Sequence, residues 1–300
     1  MDRLRYINGV RKNHMWIIFA ILSAFFAGVT TILAKIGIKN VNSNLATALR
    51  TIVVAFFAWI MVLVVGSYHI VGEIEVRNLI FLILSGMATG CSWLCYFKAL
   101  KMGDVNKVVP IDKSSTILTI LLAGIFLQET ITPIKAVCIC LIAVGTYLMI
   151  ESKVAPSESK SQKGWRIYAA LAAVFASLTA ILGKVGITNI ESNLGTAIRT
   201  VVVLVMAWLI VFMQGLHKEI KQVDKKSWTF ILLSGLATGL AWLCYYYALQ
   251  NGLVSVVVPV DKLSVLVVIV FGRVFLKERL KKRAVMGLVL IVVGTLCLLV

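Results

Sequence analysis

One unit of sequence is written twice in this chain, and it constrains the fold more than any other feature. AKIGIKNVNSNLATALRT at 34–51 recurs as GKVGITNIESNLGTAIRT at 183–200, and LSGMATGCSWLCYFKAL at 84–100 recurs as LSGLATGLAWLCYYYAL at 233–249. FLQE (126–129) returns as FLKE (275–278), and AVGT (143–146) as VVGT (292–295). A single gapless offset of about 149 positions relates every pair, with roughly four in ten aligned residues identical. Each copy holds five apolar runs: about Trp16–Ile36, Leu45–Val65, Leu79–Leu100, Val105–Leu127 and Ile134–Ile150, then about Trp165–Val185, Leu194–Met213, Trp228–Leu249, Val254–Leu276 and Val285–Val300. Each run is about long enough to cross a hydrocarbon core of ~30 Å. An odd number of crossings ends on the far side, so the second copy must be inverted. Inverted repeats enclose a midplane substrate site in many secondary transporters. The expectation is an all-α polytopic membrane protein: ten transmembrane helices as two inverted five-helix repeats, 1–150 and 165–300. The polar segment ESKVAPSESKSQKG at 151–164 joins them.

Composition agrees with a bilayer: 60% of the 300 residues are hydrophobic and 14% charged, with a mean hydropathy of +0.96. The period-two alternation of an outer-membrane barrel is missing. The first run follows a basic tail but no small-residue cleavage site follows it, so it reads as a retained span. Thirty Lys plus Arg against 13 Asp plus Glu give a net charge of +17. In a soluble chain that balance suggests nucleic acid, but here the basic residues sit mostly in short loops, where topology and anionic head groups account for them. No nucleic-acid module is recognisable. The six cysteines (91, 95, 138, 140, 244 and 297) fall inside apolar runs and read as small packing residues. No GxxxxGK[ST] loop exists for direct ATP coupling, and no His, Cys or carboxylate cluster has metal or nucleophile spacing. The expectation is therefore no enzyme, no cofactor and no metal.

The repeated SNLATA.RT, SG.ATG..WLCYY.AL and VVP.DK..S strings resemble the five-span unit of the drug/metabolite transporter superfamily. The whole chain from Trp16 to Val300 is similar to its ten-span EamA-type members, two such units fused. That resemblance implies an all-helical ten-span fold moving small metabolites by alternating access, with both termini in the cytoplasm. Counting positive loop charges favours the opposite orientation, and both remain open at this stage.

The candidate transport elements are VVPIDKSS (108–115) and VVPVDKLS (257–264). Each sets a proline, an aspartate and a lysine inside an apolar run, where each charge costs at least ~2.5 kcal/mol without a partner or a function. Pro110 and Pro259 suggest a broken helix whose positive end faces a cavity. Asp112 is expected to pair with Arg50 or Lys35, and Asp261 with Arg199 or Lys184. Lys113 and Lys262, about 100° away from their aspartates on a helix, need other partners. Polar residues of each copy gather near one face, which with inversion predicts two similar vestibules, one at each mouth. Trp93 with Tyr96, and Trp242 with Tyr245, share a helix face at i, i+3 and can stack on a substrate, or form an interfacial belt. Lys98 departs from symmetry, since its partner position is Tyr247. Glu129 and Glu278 read as caps or ion-pair partners near loops. The reading is a monomeric, multi-pass secondary transporter of the cell (inner) membrane. It exports small polar metabolites such as amino acids, with membrane lipids around it and protons as the coupling ion. The rivals are a flippase for lipid-linked phosphate or sugar, and a membrane-embedded scaffold or enzyme.

Overall fold

A computed structural model describes residues 2–37, 41–102, 108, 111, 114–149, 164–275 and 282–298, all-helical with no strand among them. The first copy supplies α1 (Asp2–Gly37), α2 (Ser43–Val65), α3 (Val76–Met102), α4 (Ser115–Phe126) and α5 (Pro133–Met149). The second supplies α6 (Trp165–Gly186), α7 (Ser192–Met213), α8 (Lys225–Asn251), α9 (Val254–Asp261), α10 (Ser264–Phe275) and α11 (Lys282–Cys297). Seven stretches are long and apolar enough to cross a membrane, while Ser115–Phe126, Pro133–Leu148 and Val285–Cys297 are apolar but shorter. Among the described residues, seven of the ten expected spans thus hold a stretch long enough to cross, one of them formed by α9 and α10 together, and the other three hold only shorter helices.

Equivalent local sequences build equivalent ends. Asn42 caps α2 by accepting from the Asn44 N–H, and Glu191 caps α7 by accepting from the N–H groups of Asn193 and Leu194. Gly66 (φ 80°) and Gly215 (φ 70°) end the same two helices in the left-handed region, which a side chain disfavours. Each glycine leads into a short 3-10 helix, Ser67–Glu73 or Leu216–Gln222. Asp224 caps α8, and its hydrogen bonds with Ser227 hold the carboxyl below the usual carboxylate range. Outward faces are apolar: Phe56, Val64 and Ile125 are 69, 73 and 71% exposed, a surface suited to lipid rather than water.

The two copies pack chiefly on each other. Against α5, the Gly294 position of α11 faces the Cys138 carbonyl and Ile142, and Gly145 reciprocally faces the Gly287 carbonyl and Ile291. These contacts exchange under the 149-residue offset, the mark of a two-fold relation. Because residue numbers rise in one helix as they fall in the other, the equivalent helices α5 and α11 run antiparallel. The relation recurs nearer the centre. Gly86 and Gly90 of α3 meet Val202 and Met206 of α7, while Gly235 and Gly239 of α8 meet Val53 and Phe57 of α2. Small residues at these crossings let backbones approach closely. A Cβ on Gly145 would lie 2.6 Å from the Gly287 carbonyl oxygen. Gly145→Val is therefore expected to cost about 1–3 kcal/mol by overpacking, read as a lowered thermal midpoint. Gly72, where a Cβ meets nothing within 4 Å, is the neutral control. The packing role assigned to all six cysteines needs one correction: Cys138 of α5 and Cys297 of α11 are joined as a disulfide, Cα atoms 6.1 Å apart. Linear spacing gave no sign of it, because the inverted packing brings residues 159 apart together.

Candidate functional site

Helices α1, α2 and α3 of the first copy and α6, α7 and α8 of the second converge with the α9–α10 joint around a cavity of about 460 Å³. Much of the wall comes in equivalent pairs: Thr30 with Thr179, Arg50 with Arg199, Thr89 with Thr238, and Trp93 with Trp242. Arg50 and Arg199 each lie seven residues into their helix, about 10 Å along the axis. Since α2 and α7 enter from opposite ends, the two long side chains approach the centre from both sides.

The polar groups are organised around hydroxyls. Thr30 and Thr238 are 3.2 Å apart across α1 and α8, and Thr89 and Thr179 are 3.3 Å apart across α3 and α6. Arg199, only 2% exposed, donates from Nε to Ser85 Oγ at 3.0 Å and from Nη2 to Thr89 Oγ1 at 2.6 Å. Its guanidinium also lies 5.2 Å from the Trp242 ring centroid and 4.9 Å from that of Tyr246. Its Nη1 is buried without a hydrogen-bond partner. Arg50 is half-buried and makes no hydrogen bond among the described residues. The symmetric sequence therefore holds its two arginines in different states.

At the α9–α10 joint the chain tightens into i to i+3 bonds, Lys262 N–H to Pro259 O at 3.0 Å and Leu263 N–H to Val260 O at 2.9 Å. Pro259 lies inside α9 and removes the N–H that would bond the Ser255 carbonyl. The break places Asp261 and Lys262 on the cavity wall, and Ser23 of α1 donates to Asp261 Oδ1 at 2.7 Å. At the other end of α9, Glu129 of the first copy accepts from the Val254 N–H at 2.7 Å and the Ser255 N–H at 2.9 Å. Lys184 of α6 donates to the carbonyls of Leu249, Gln250 and Gly252, which close α8. The α8–α9 elbow is thus clamped by a carboxylate on its free N–H groups and an ammonium on its free carbonyls.

The model of the EamA-like transporter family matches the chain twice, at 14–151 and 163–300. The chain belongs to the EamA-like transporter family. This transporter is 42% identical over 137 residues to an uncharacterized transporter in the cobO 3′ region of Sinorhizobium sp., covering 46% of this chain and 97% of the relative. It is 26% identical over 277 residues to a protein of Enterococcus faecalis provisionally named for ribose uptake, RbsU, covering 87% and 90% of the two chains. A solved crystal structure shares the fold at a TM-score of 0.76 and 16% identity, over 95% of this chain and 97% of that one.

In this EamA-like transporter the cavity gathers Arg50, Trp93, Arg199, Trp242, Tyr245, Asp261 and Lys262 from the sequence-derived candidates. Asp112, Lys113 and the side chain of Lys35 lie outside the described residues. The remaining candidates and pairings need correction. Tyr96 packs beside Ala99, Val108 and Trp165 rather than lining the cavity. Lys98 stands over the Tyr168 ring at 4.3 Å, where the second copy puts Tyr247 against Phe19, so its departure from symmetry belongs to helix packing. Asp261 takes Ser23 and forms no ion pair with Arg199 or Lys184; Lys184 is turned to the helix-end carbonyls and Arg199 lies on Ser85 and Thr89. Glu129 is a cap, one of the two roles expected of it, but it is buried and caps a helix of the other copy. Arg50 and Trp93, expected at one mouth, and Arg199 and Trp242, expected at the other, line the same cavity. Sequence reasoning missed Ser85, Thr89, Thr179 and Thr238. The repeated LSG.ATG string carries Ser85 and Thr89 with their equivalents Ser234 and Thr238, and this repetition of hydroxyls is the signal for them.

Proposed function

We propose that this chain is a secondary active transporter that exports small polar metabolites such as amino acids across the inner membrane by alternating access. One observation carries the reading: a single cavity whose walls come in equivalent pairs from two copies related by an antiparallel two-fold. The unequal arginines support alternation. Arg199 is clamped by Ser85 and Thr89, whereas Arg50 makes no bond to the equivalent hydroxyls, Ser234 and Thr238, among the described residues. Exchanging the conformations of the two copies clamps Arg50 on Ser234 and Thr238 and frees Arg199. That exchange opens the other side, a two-state element of the kind transporters use. The repeats 1–150 and 165–300 are the bodies that exchange, within a monomer.

Protons couple to transport at Asp261, the one carboxylate on the cavity wall among the described residues. An imposed gradient, acid outside, is expected to accelerate efflux from proteoliposomes. Asp261→Asn should remove that dependence and leave a monodisperse protein; efflux that still follows the gradient contradicts the role. The relative named for ribose uptake favours a second reading, sugar import. Counterflow of labelled amino acids against labelled D-ribose separates the two.

A further inference from the structure

We infer that the cavity binds its cargo by a carboxylate group, so that the substrate class is small organic anions, with the guanidinium groups of Arg50 and Arg199 taking the carboxyl oxygens. This rests on the transport reading above and adds the charge of what is carried. The charged wall residues among those described are Arg50, Arg199, Lys262 and Asp261. Asp261 and Lys262 balance one another in sequence, which among the described residues leaves two guanidinium charges over. Neither is in an ion pair among the described residues, and an arginine cannot discharge itself by losing a proton.

The bonds of Arg199 satisfy donors without neutralising charge. Ser85 and Thr89 are neutral acceptors on the Nε and Nη2 side of the group, and the Trp242 and Tyr246 rings engage its face. The Nη1 donor is buried and unmade. A guanidinium held along one edge presents the other edge for a planar acceptor with two oxygens, and a carboxylate has that shape. Arg50, half-buried on the same wall and without a hydrogen bond among the described residues, supplies a second such group from the other copy. Trp93 and Tyr245 line the same cavity and suit the apolar part of a cargo molecule. An ammonium on the cargo meets Asp261. A cation without a carboxylate meets two guanidinium groups and is repelled. The volume falls in the range usual for small-molecule sites.

The test uses the purified full-length protein, with tryptophan emission and thermal midpoint as binding readouts. Succinate and benzoate are compared with their uncharged amides, succinamide and benzamide, and with inorganic phosphate and D-ribose. Saturable binding of the acids, at least tenfold weaker binding of the amides, and a further tenfold loss in Arg199→Gln and Arg50→Gln are the expected results. Arg50→Gln removes no hydrogen bond among the described residues, so it keeps the test open should Arg199→Gln fold poorly. Amides binding as tightly as acids, phosphate or ribose binding in their place, or no binding by either acid overturns the inference. Solute flux in proteoliposomes is scored separately. Ribose counterflow without acid binding removes the carboxylate inference and leaves the transporter, whereas acid binding without flux of any solute does the reverse.

Discussion

Arg199→Gln is expected to reduce transport about 100-fold or more while leaving a folded, monodisperse protein. The stability cost is small for a buried arginine, because its partners keep their own donors occupied. Ser85 Oγ still donates to the Thr179 carbonyl at 2.8 Å, and Thr89 Oγ1 to the Ser85 carbonyl at 3.0 Å. Only acceptor positions fall vacant, and the attraction of the cation to its two rings is worth about 0.5–2 kcal/mol. Function depends on a difference between states. Two hydrogen bonds from a charged group are worth roughly 1.5–3 kcal/mol each. Losing about 3 kcal/mol from one state alone moves a balanced equilibrium more than 100-fold. Initial rates in proteoliposomes and the elution profile check both halves of the statement. A variant that transports normally shows Arg199 to be a packing residue.

Glu129→Ala is expected to act on stability first. The carboxylate lies 9% exposed between two backbone donors of α9, an eight-residue helix too short to spare its cap. Removing it strands two buried N–H groups, at about 1–3 kcal/mol each, beside the elbow that Lys184 holds from the other side. A loss of about 2–5 kcal/mol follows, read as a lowered thermal midpoint. Glu129→Gln, which keeps one acceptor oxygen, should fall between the two. An unchanged midpoint in Glu129→Ala would show the elbow to be held without it.

What the sequence makes legible here is symmetry. The 149-residue offset anticipates the paired caps at Asn42 and Glu191, the left-handed Gly66 and Gly215, and the crossings at Gly86 and Gly235. It also anticipates the pairing of Arg50 with Arg199 and of Trp93 with Trp242. What it hides is where the copies differ and what they share. Near-identical strings hold Arg199 on two hydroxyls and leave Arg50 without them, and the Tyr246 ring that lies 4.9 Å from Arg199 has Phe97 as its equivalent. Glu129 looks like a loop residue because its partners lie 125 and 126 positions away in the other copy. Charge pairing does not predict Asp261, because its partner is the Ser23 hydroxyl and Lys184 turns to free helix-end carbonyls, neither of which a count of charges includes.

Thr31 lines the cavity, is exposed within it, and donates only to its own helix, to the Ala27 carbonyl at 3.0 Å. A cysteine at that position, in a chain whose free cysteines at 91, 95, 140 and 244 are replaced by serine or alanine, reports access directly. A membrane-impermeant thiol reagent is applied to right-side-out and to inside-out vesicles. Labelling from both sides, at rates that substrate shifts in opposite directions, is the expected result. Labelling from one side only, whatever is added, contradicts a cavity that two inverted halves open in turn.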